Sequence, residues 1–424
     1  MEYNKSEIKK GINLHTIKTD KFKTNLIAIF LTTKLERETV TKNAVISALL
    51  RRGSKNMPTQ EQISKELEEM YGASFDCGLD KTGDNQVLKF YIETINDKFL
   101  PQTDENMLKT AIEKIVEIVF NPLVENEGFK KQYVEQEKNN IKQRIEGKID
   151  NKASYSLDRC IEEMYKNEPF GLYKFGYIED MDNINENNLY DQYKKLREEC
   201  KIDIFVSGDV NENIEEILNN NENIKELNER EPKYVTNNVN QNKSKNVEEK
   251  TIIENMDVTQ GKLVLGLDVD LDNEELKYDT MVYNSLLGGS ANSKMFQNVR
   301  EKAHLAYSAS SSYLRNKNNI FARCGIEISN YEKALELIRK QIEDMKAGDF
   351  TEEEVENIKK GILAAIKLID DEQDTQITYC FGQELSKNEV DLENYMKKIQ
   401  KVTKQDVINI ANKVKINTIY FLRN

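Results

Sequence analysis

Two side chains, Arg300 and Tyr307, have the chemistry to grip a carbonyl oxygen. A guanidinium offers a planar fork of N–H donors and a phenol offers one O–H. If both converge on one point they can bind a peptide carbonyl, or the oxyanion that forms from it. The ordinary alternative is that Arg300 pairs with a surface carboxylate and Tyr307 packs in a core; exposed ion pairs are common and contribute little. Residues for most other chemistry are scarce. The only histidines are His15 and His304, far apart and without partners at ligand spacing. Each reads as an ordinary surface or turn histidine, and a Ser-His-Asp or Cys-His arrangement has nothing to build on. The five cysteines, Cys77, Cys160, Cys200, Cys324 and Cys380, are scattered and include no C-x-x-C. They suit neither a zinc site nor a disulfide framework, and all five read as packing residues with reduced thiols. GGSANSK lacks the spacing of a phosphate loop.

The elements that must position Arg300 and Tyr307 lie between Leu286 and Tyr313, LLGGSANSKMFQNVREKAHLAYSASSSY. An apolar helix end meets Gly288 and Gly289. Met295, Phe296 and Val299 then recur at helical spacing, and Arg300 closes that short helix. Tyr307, Ala309, Ser311 and Tyr313 alternate as in a strand. The two donors thus stand at opposite ends of a helix-to-strand turn.

Composition narrows the field. The chain has 424 residues and a formal charge of −13, from 61 basic and 74 acidic residues. Such acidity, dispersed along the chain, is a poor match for nucleic acid, which needs a basic patch. No apolar run approaches the 18 or so residues that cross a membrane. The N-terminal MEYNKSEIKKGINLHTI has no apolar signal region. The expectation is a cytoplasmic protein with no membrane and no nucleic-acid partner.

Along the chain, GINLHTIKT and TNLIAIFLTT read as strands, and residues 39–52 as a buried helix closed by Gly53. Thr59 with Gln62 marks a capping box. Two strands joined at a Gly-Asp turn follow, then a helix halted at Pro122, a long helix through VEQEKNNIKQRIEGKI, a helical region around SLDRCIEEMY, a helix over NENNLYDQYKKLREEC and a strand, KIDIFVSGDV. Residues 228–250 are polar and rich in Asn, Lys and Glu, as a linker is. The pattern then repeats. KLVLGLDVDL answers TNLIAIFLTT, the helix ending at Gly288 answers the one ending at Gly53, and VTKQDVINIANKVKINTIYFLRN answers the end of the first half. Thr351 with Glu354 marks another capping box. The expected fold is α+β: two homologous halves, 1–227 and 251–424, each a mostly antiparallel sheet with helices packed on one face, joined by the 228–250 linker.

The stretch around Arg300 resembles the second-half signature of the insulinase (pitrilysin-type, inverzincin) zinc peptidases, roughly LxGGxxSxLxxxLREKxGLxYSxxS. Leu287, Gly288, Gly289, Ser293, Met295, Phe296, Arg300, Glu301, Lys302, Leu305, Tyr307 and Ser308 fit it. Ala303 and His304 depart from it, standing where the family usually has a basic residue and Gly. The resemblance implies the two-half architecture for the whole chain. It also implies that Arg300 and Tyr307 hold substrate over a zinc site. Within the family it is nearest to the Gram-positive Ymf-type paired subunits, with QRI…DNK…Y from Gln143 to Tyr155.

In catalytic members the zinc motif is H-x-x-E-H on a first-half helix. Residues i and i+4 share a face, so two imidazoles hold one ion and the glutamate between them is the general base. Its place here is just before Gly53, where the five positions are Ala44, Val45, Ile46, Ser47 and Ala48. Neither histidine is present and Ser47 cannot act as the base. The third ligand, a glutamate on a later helix, falls by helix matching near Arg144; raw spacing reaches Glu125, outside the helix pattern. The resemblance therefore implies no cofactor in this chain, and zinc in a homologous partner subunit carrying H-x-x-E-H. On that basis the chain is a non-catalytic subunit of a two-chain zinc metallopeptidase. It would be inactive alone, supplying peptide binding and oxyanion positioning for unfolded peptide substrates, with a homodimer as the form open to the isolated chain. The alternative is a peptidase-like scaffold or peptide-binding protein with no catalytic partner.

Overall fold

The computed structural model describes residues 2–101, 106–210, 213–237 and 248–424. The central stretch of the expected linker, 238–247, lies outside them. The chain forms two compact units. The first comprises Met1–Gly147, Leu172–Val235 and Asp370–Phe381; the second comprises Lys148–Gly171, Thr236–Ile369 and Gly382–Asn424.

The chain opens with strands β1 (Glu2–Lys9), β2 (Ile12–Lys18) and β3 (Thr24–Lys34), then helices α1 (Val40–Leu50) and α2 (Gln60–Glu69) and strands β4 (Ser74–Thr82) and β5 (Asn85–Ile95). Helix α3 (Met107–Phe120) is followed by a two-residue ladder, β6 (Val124–Glu125) with β7 (Gly128–Phe129), and by α4 (Lys131–Glu146). Helix α5 (Lys152–Met164) belongs to the second unit. The chain then returns to the first unit with α6 (Glu186–Glu199), β8 (Lys201–Gly208), α7 (Ile214–Asn220) and α8 (Glu222–Lys225). The first sheet has the order β1-β2-β8-β3-β5-β4, antiparallel except for β2 beside β8. On one face Ile27, Ile29, Leu31 and Ile204 meet Val45 and Leu49 of α1, Ile112 and Ile115 of α3, and Tyr193 of α6 in one apolar core. On the other face the segment 370–381 adds cover: Phe381 meets Phe30 edge-on at 4.8 Å, and the Gln373 amide donates to the Ser207 carbonyl at 2.8 Å.

Strand β1 is an addition to what the sequence predicts. It is polar, EYNKSEIK, and is held by its ladder to β2. His15 on β2 is a correction. Far from lying at the surface, it is 0% exposed; its ring stacks on Phe205 at 4.3 Å and bonds to Tyr3 Oη (2.8 Å) and Asp203 Oδ1 (2.9 Å). Burial works to raise the Asp203 carboxyl, but Lys201 and His15 outweigh it and hold that carboxyl far below the ordinary range.

The second unit repeats the plan. Strands β9 (Lys250–Asn255), β10 (Gly261–Val269), β11 (Ala306–Leu314), β12 (Asn319–Ile326) and β13 (Val414–Arg423) take the order β11-β12-β10-β13-β9, with only β9 and β13 parallel. This is the order of the first sheet without β1. The helices are α9 (Leu276–Leu287), α10 (Tyr331–Ala347), α11 (Glu352–Leu368), α12 (Gln373–Ser386, whose first part belongs to the first unit), α13 (Leu392–Lys401) and α14 (Lys404–Ala411). Both expected capping boxes form, Thr59 with Gln62 and Thr351 with Glu354. Helix α5 packs Cys160 and Ile161 against Val264, Phe321 and Tyr420 of the second sheet. Among the described residues no helix is long and apolar enough to cross a membrane.

Candidate functional site

The turn carrying Arg300 starts where α9 ends. A Cβ on Gly288 would stand 2.7 Å from the Ser311 amide nitrogen, so glycine is what lets β11 run against the helix end. That approach is fixed by the Ser311 N–H donating to the Gly288 carbonyl (2.8 Å) and the Ser311 hydroxyl donating to Asn284 Oδ1 (2.8 Å). The short helix expected over Met295–Arg300 is instead a π-helix, Phe296–Lys302. The Ala303 N–H donates to the Asn298 carbonyl at 3.2 Å, the five-residue step of a π turn, a form that recurs at functional sites. Met295 and Val299 are buried and anchor it. The Arg300 guanidinium lies over the Phe296 ring at 4.6 Å, with Nε 3.4 Å from the Glu301 carboxylate. His304 then takes φ +53°, the left-handed region that glycine enters freely and other residues enter at a cost. The backbone therefore keeps the conformation expected of the usual Gly, although the residue differs.

Strict alternation would put Tyr307 on the same face as Ala309, which is buried. The ladder prevents this. Ala306 pairs with Ile326 and Ser308 with Gly325, so two steps of β11 span one step of β12 and Tyr307 is the extra residue of a bulge. The Ser308 hydroxyl accepts from the Gly325 N–H at 3.2 Å within that irregularity. Tyr307 is consequently 60% exposed, on an edge strand, and not in the core. Its hydroxyl donates to Glu327 Oε1 at 3.1 Å, and that carboxylate raises the phenol's pKa. Arg300 and Tyr307 are each given a different acidic neighbour, Glu301 and Glu327.

The four positions matched to the zinc motif, Ala44, Ser47 and Ala48 on α1 and Arg144 on α4, all line one cavity of about 300 Å³ beside β4. Glu125 lies apart, in β6. Methyl groups, a hydroxyl and a guanidinium supply neither the nitrogen donors nor the negative charge that zinc needs, so these residues do not fit the ion. Among the described residues no group of three or more His, Cys, Asp or Glu is placed to hold a metal. Sequence reasoning missed two further wall residues, Arg51 and Cys77. Cys77 packs against the first unit's core, as expected of every cysteine, but it is half-buried on this wall whereas the other four are buried. Burial pushes its thiol up, against the pull of Arg51 and Arg144. The signal available in the sequence was the Arg-Arg pair, Arg51 and Arg52, just past the C-terminal end of α1.

The sequence profile described as peptidase M16 inactive domain matches residues 183–362. The probable inactive metalloprotease YmfF of Bacillus subtilis is 34% identical over 414 residues, 97% of this chain and 96% of that protein. A conserved protein from Enterococcus faecalis V583 has a crystal structure that superposes with a TM-score of 0.89 at 28% identity, covering 100% of this chain and 99% of the other. A peptidase M16 inactive domain from Pseudomonas fluorescens shares the fold, with a TM-score of 0.80 at 14% identity and coverage of 100% and 98%. The near full-length likeness to YmfF makes the chain a member of the insulinase (M16) peptidase family and a homologue of its inactive members.

Proposed function

We propose that this chain is the non-catalytic subunit of a two-chain zinc metallopeptidase, lending Arg300 and Tyr307 to a site whose zinc is held by a homologous partner carrying H-x-x-E-H. The observation that carries the reading is the bulge at Tyr307. It turns out of the core a phenol that alternation would bury, and leaves it exposed on an edge strand. Arg300 anchors a backbone carbonyl of an unfolded peptide, and Tyr307 donates to the oxyanion as the partner's zinc-bound water attacks. The extended peptide pairs with a sheet edge.

The test is reconstitution with an H-x-x-E-H homologue from the same genome, using a quenched fluorescent unstructured peptide as substrate. Neither chain alone should cleave it, and the mixture should. Tyr307→Phe keeps the ring and removes the donor; the complex should still form while turnover falls by about 10²–10³. A complex whose turnover is undiminished by Tyr307→Phe assigns the tyrosine no catalytic part. Failure to form a complex with any such homologue favours a scaffold or free-standing peptide-binding protein.

A further inference from the structure

The cavity at the former zinc position has a charge of its own. Three arginines line it, Arg51 and Arg52 from the end of α1 and Arg144 from α4, against one carboxylate, Glu137. Glu137 is 5% exposed and is already engaged: Arg52 Nε lies 2.7 Å from it and the Asn140 amide donates to it at 3.1 Å. Arg52 is further held by Gln60 (3.1 Å) and Gln136 (2.5 Å), and so belongs to the wall. Arg51 and Arg144 are different. Both are exposed, and among the described residues neither is ion-paired. Arg144 stacks on the Phe175 ring, at 4.9 Å. Both line this one cavity and bear on the sulfur of Cys77; the Asp76 carboxylate also bears on that sulfur but lines a different cavity, with Tyr91 and Glu93. Like charges gathered at a cavity mouth raise the affinity for an anion placed between them. The small floor of Ala44, Ala48 and Gly78 leaves the room.

We infer that this cavity is an anion site that takes a carboxylate of a bound peptide. The guanidinium fork matches the two oxygens of a carboxylate. Cys77 and Gly78 on the wall belong to β4, the edge strand of its sheet, whose free side can pair with an extended chain. A peptide lying along β4 would carry its groups past the two arginines. The overall charge of −13 disfavours a polyanion such as nucleic acid. The inference rests on the reading that the chain handles peptides, and needs neither the partner nor Tyr307.

The experiment uses the full chain alone and fluorescence anisotropy with a short fluorescein-labelled unstructured peptide in three forms: with a free C-terminal carboxylate, with a C-terminal amide, and with the amide plus one internal Glu. At least one carboxylate form should bind about tenfold or more tightly than the plain amide, and which one does so separates a terminal from a side-chain carboxylate. Arg144→Gln, and independently Arg51→Gln, should abolish the difference and leave the plain amide's affinity unchanged; circular dichroism confirms that each variant is folded. Equal affinity for all three forms overturns the anion site and leaves the peptide-binding reading standing. Binding of none of them overturns the peptide-binding reading and this inference with it. If inorganic phosphate binds and the carboxylate peptides do not displace it, the site serves a free oxyanion and the peptide assignment is wrong.

Discussion

Asp279 on α9 carries a carboxyl that burial raises to about 6, with the charges of Asp406 and Glu275 adding to the rise. The folded chain therefore holds this proton more tightly than the unfolded chain, whose value is 3.8. The stability it contributes is present at low pH and is lost as pH rises through about 4 to 6. Asp279→Asn should raise urea stability by about 1–3 kcal/mol at about pH 7.5 and by well under half of that at about pH 4.5, the gain vanishing only below about pH 4. An equal effect at both pH values would show that the carboxyl is not shifted. At this scale the sequence reveals residue types and withholds their surroundings. The two donors, Arg300 and Tyr307, stand out by type and spacing. The burial of His15 does not, because it depends on Asp203, brought beside it by the pairing of β2 with β8. Cys77 likewise looks like any other cysteine until α1, α4 and β4 are assembled around it.

At the scale of elements, local signals were readable where the chemistry is local. Both capping boxes and the helix-ending Gly288 can be seen in the sequence because their partners lie within a few residues or force a close approach. Strand β1 cannot, since its residues are polar and only its ladder to β2 makes it a strand. The π form of Phe296–Lys302 and the bulge at Tyr307 were also hidden, because apolar spacing does not distinguish a π turn from an α turn, and alternation assumes an unbroken ladder. Gly288 permits a direct test of the helix-to-strand junction. Gly288→Ala puts a methyl against the backbone nitrogen and side chain of Ser311, so β11 must shift. The expected cost is about 1–3 kcal/mol in a urea melt, the range for overpacking. A neutral result would mean that β11 yields freely, and with it the setting of Tyr307.

Across the whole molecule the duplication is the best-preserved sequence signal, and it reappears as the shared strand order of the two sheets. What repeats of sequence could not convey is that each unit includes a segment from the other half: α5 joins the second sheet, and 370–381 joins the first. The chain passes from unit to unit five times, at 147/148, 171/172, 235/236, 369/370 and 381/382. A specific protease site placed within 238–247 should therefore yield two fragments that each supply part of both units. After cleavage they should elute together in gel filtration and retain the uncut chain's circular dichroism; separate elution would show that the exchanged segments contribute little. The same exchange sets a rule of inheritance. Tyr155 and Arg159 of α5 both bond to Glu254 of β9, at 2.6 and 3.1 Å. A lesion written early in the gene, in α5, is thus a lesion of the later unit, and its compensating mutations are to be sought on the far side of residue 250.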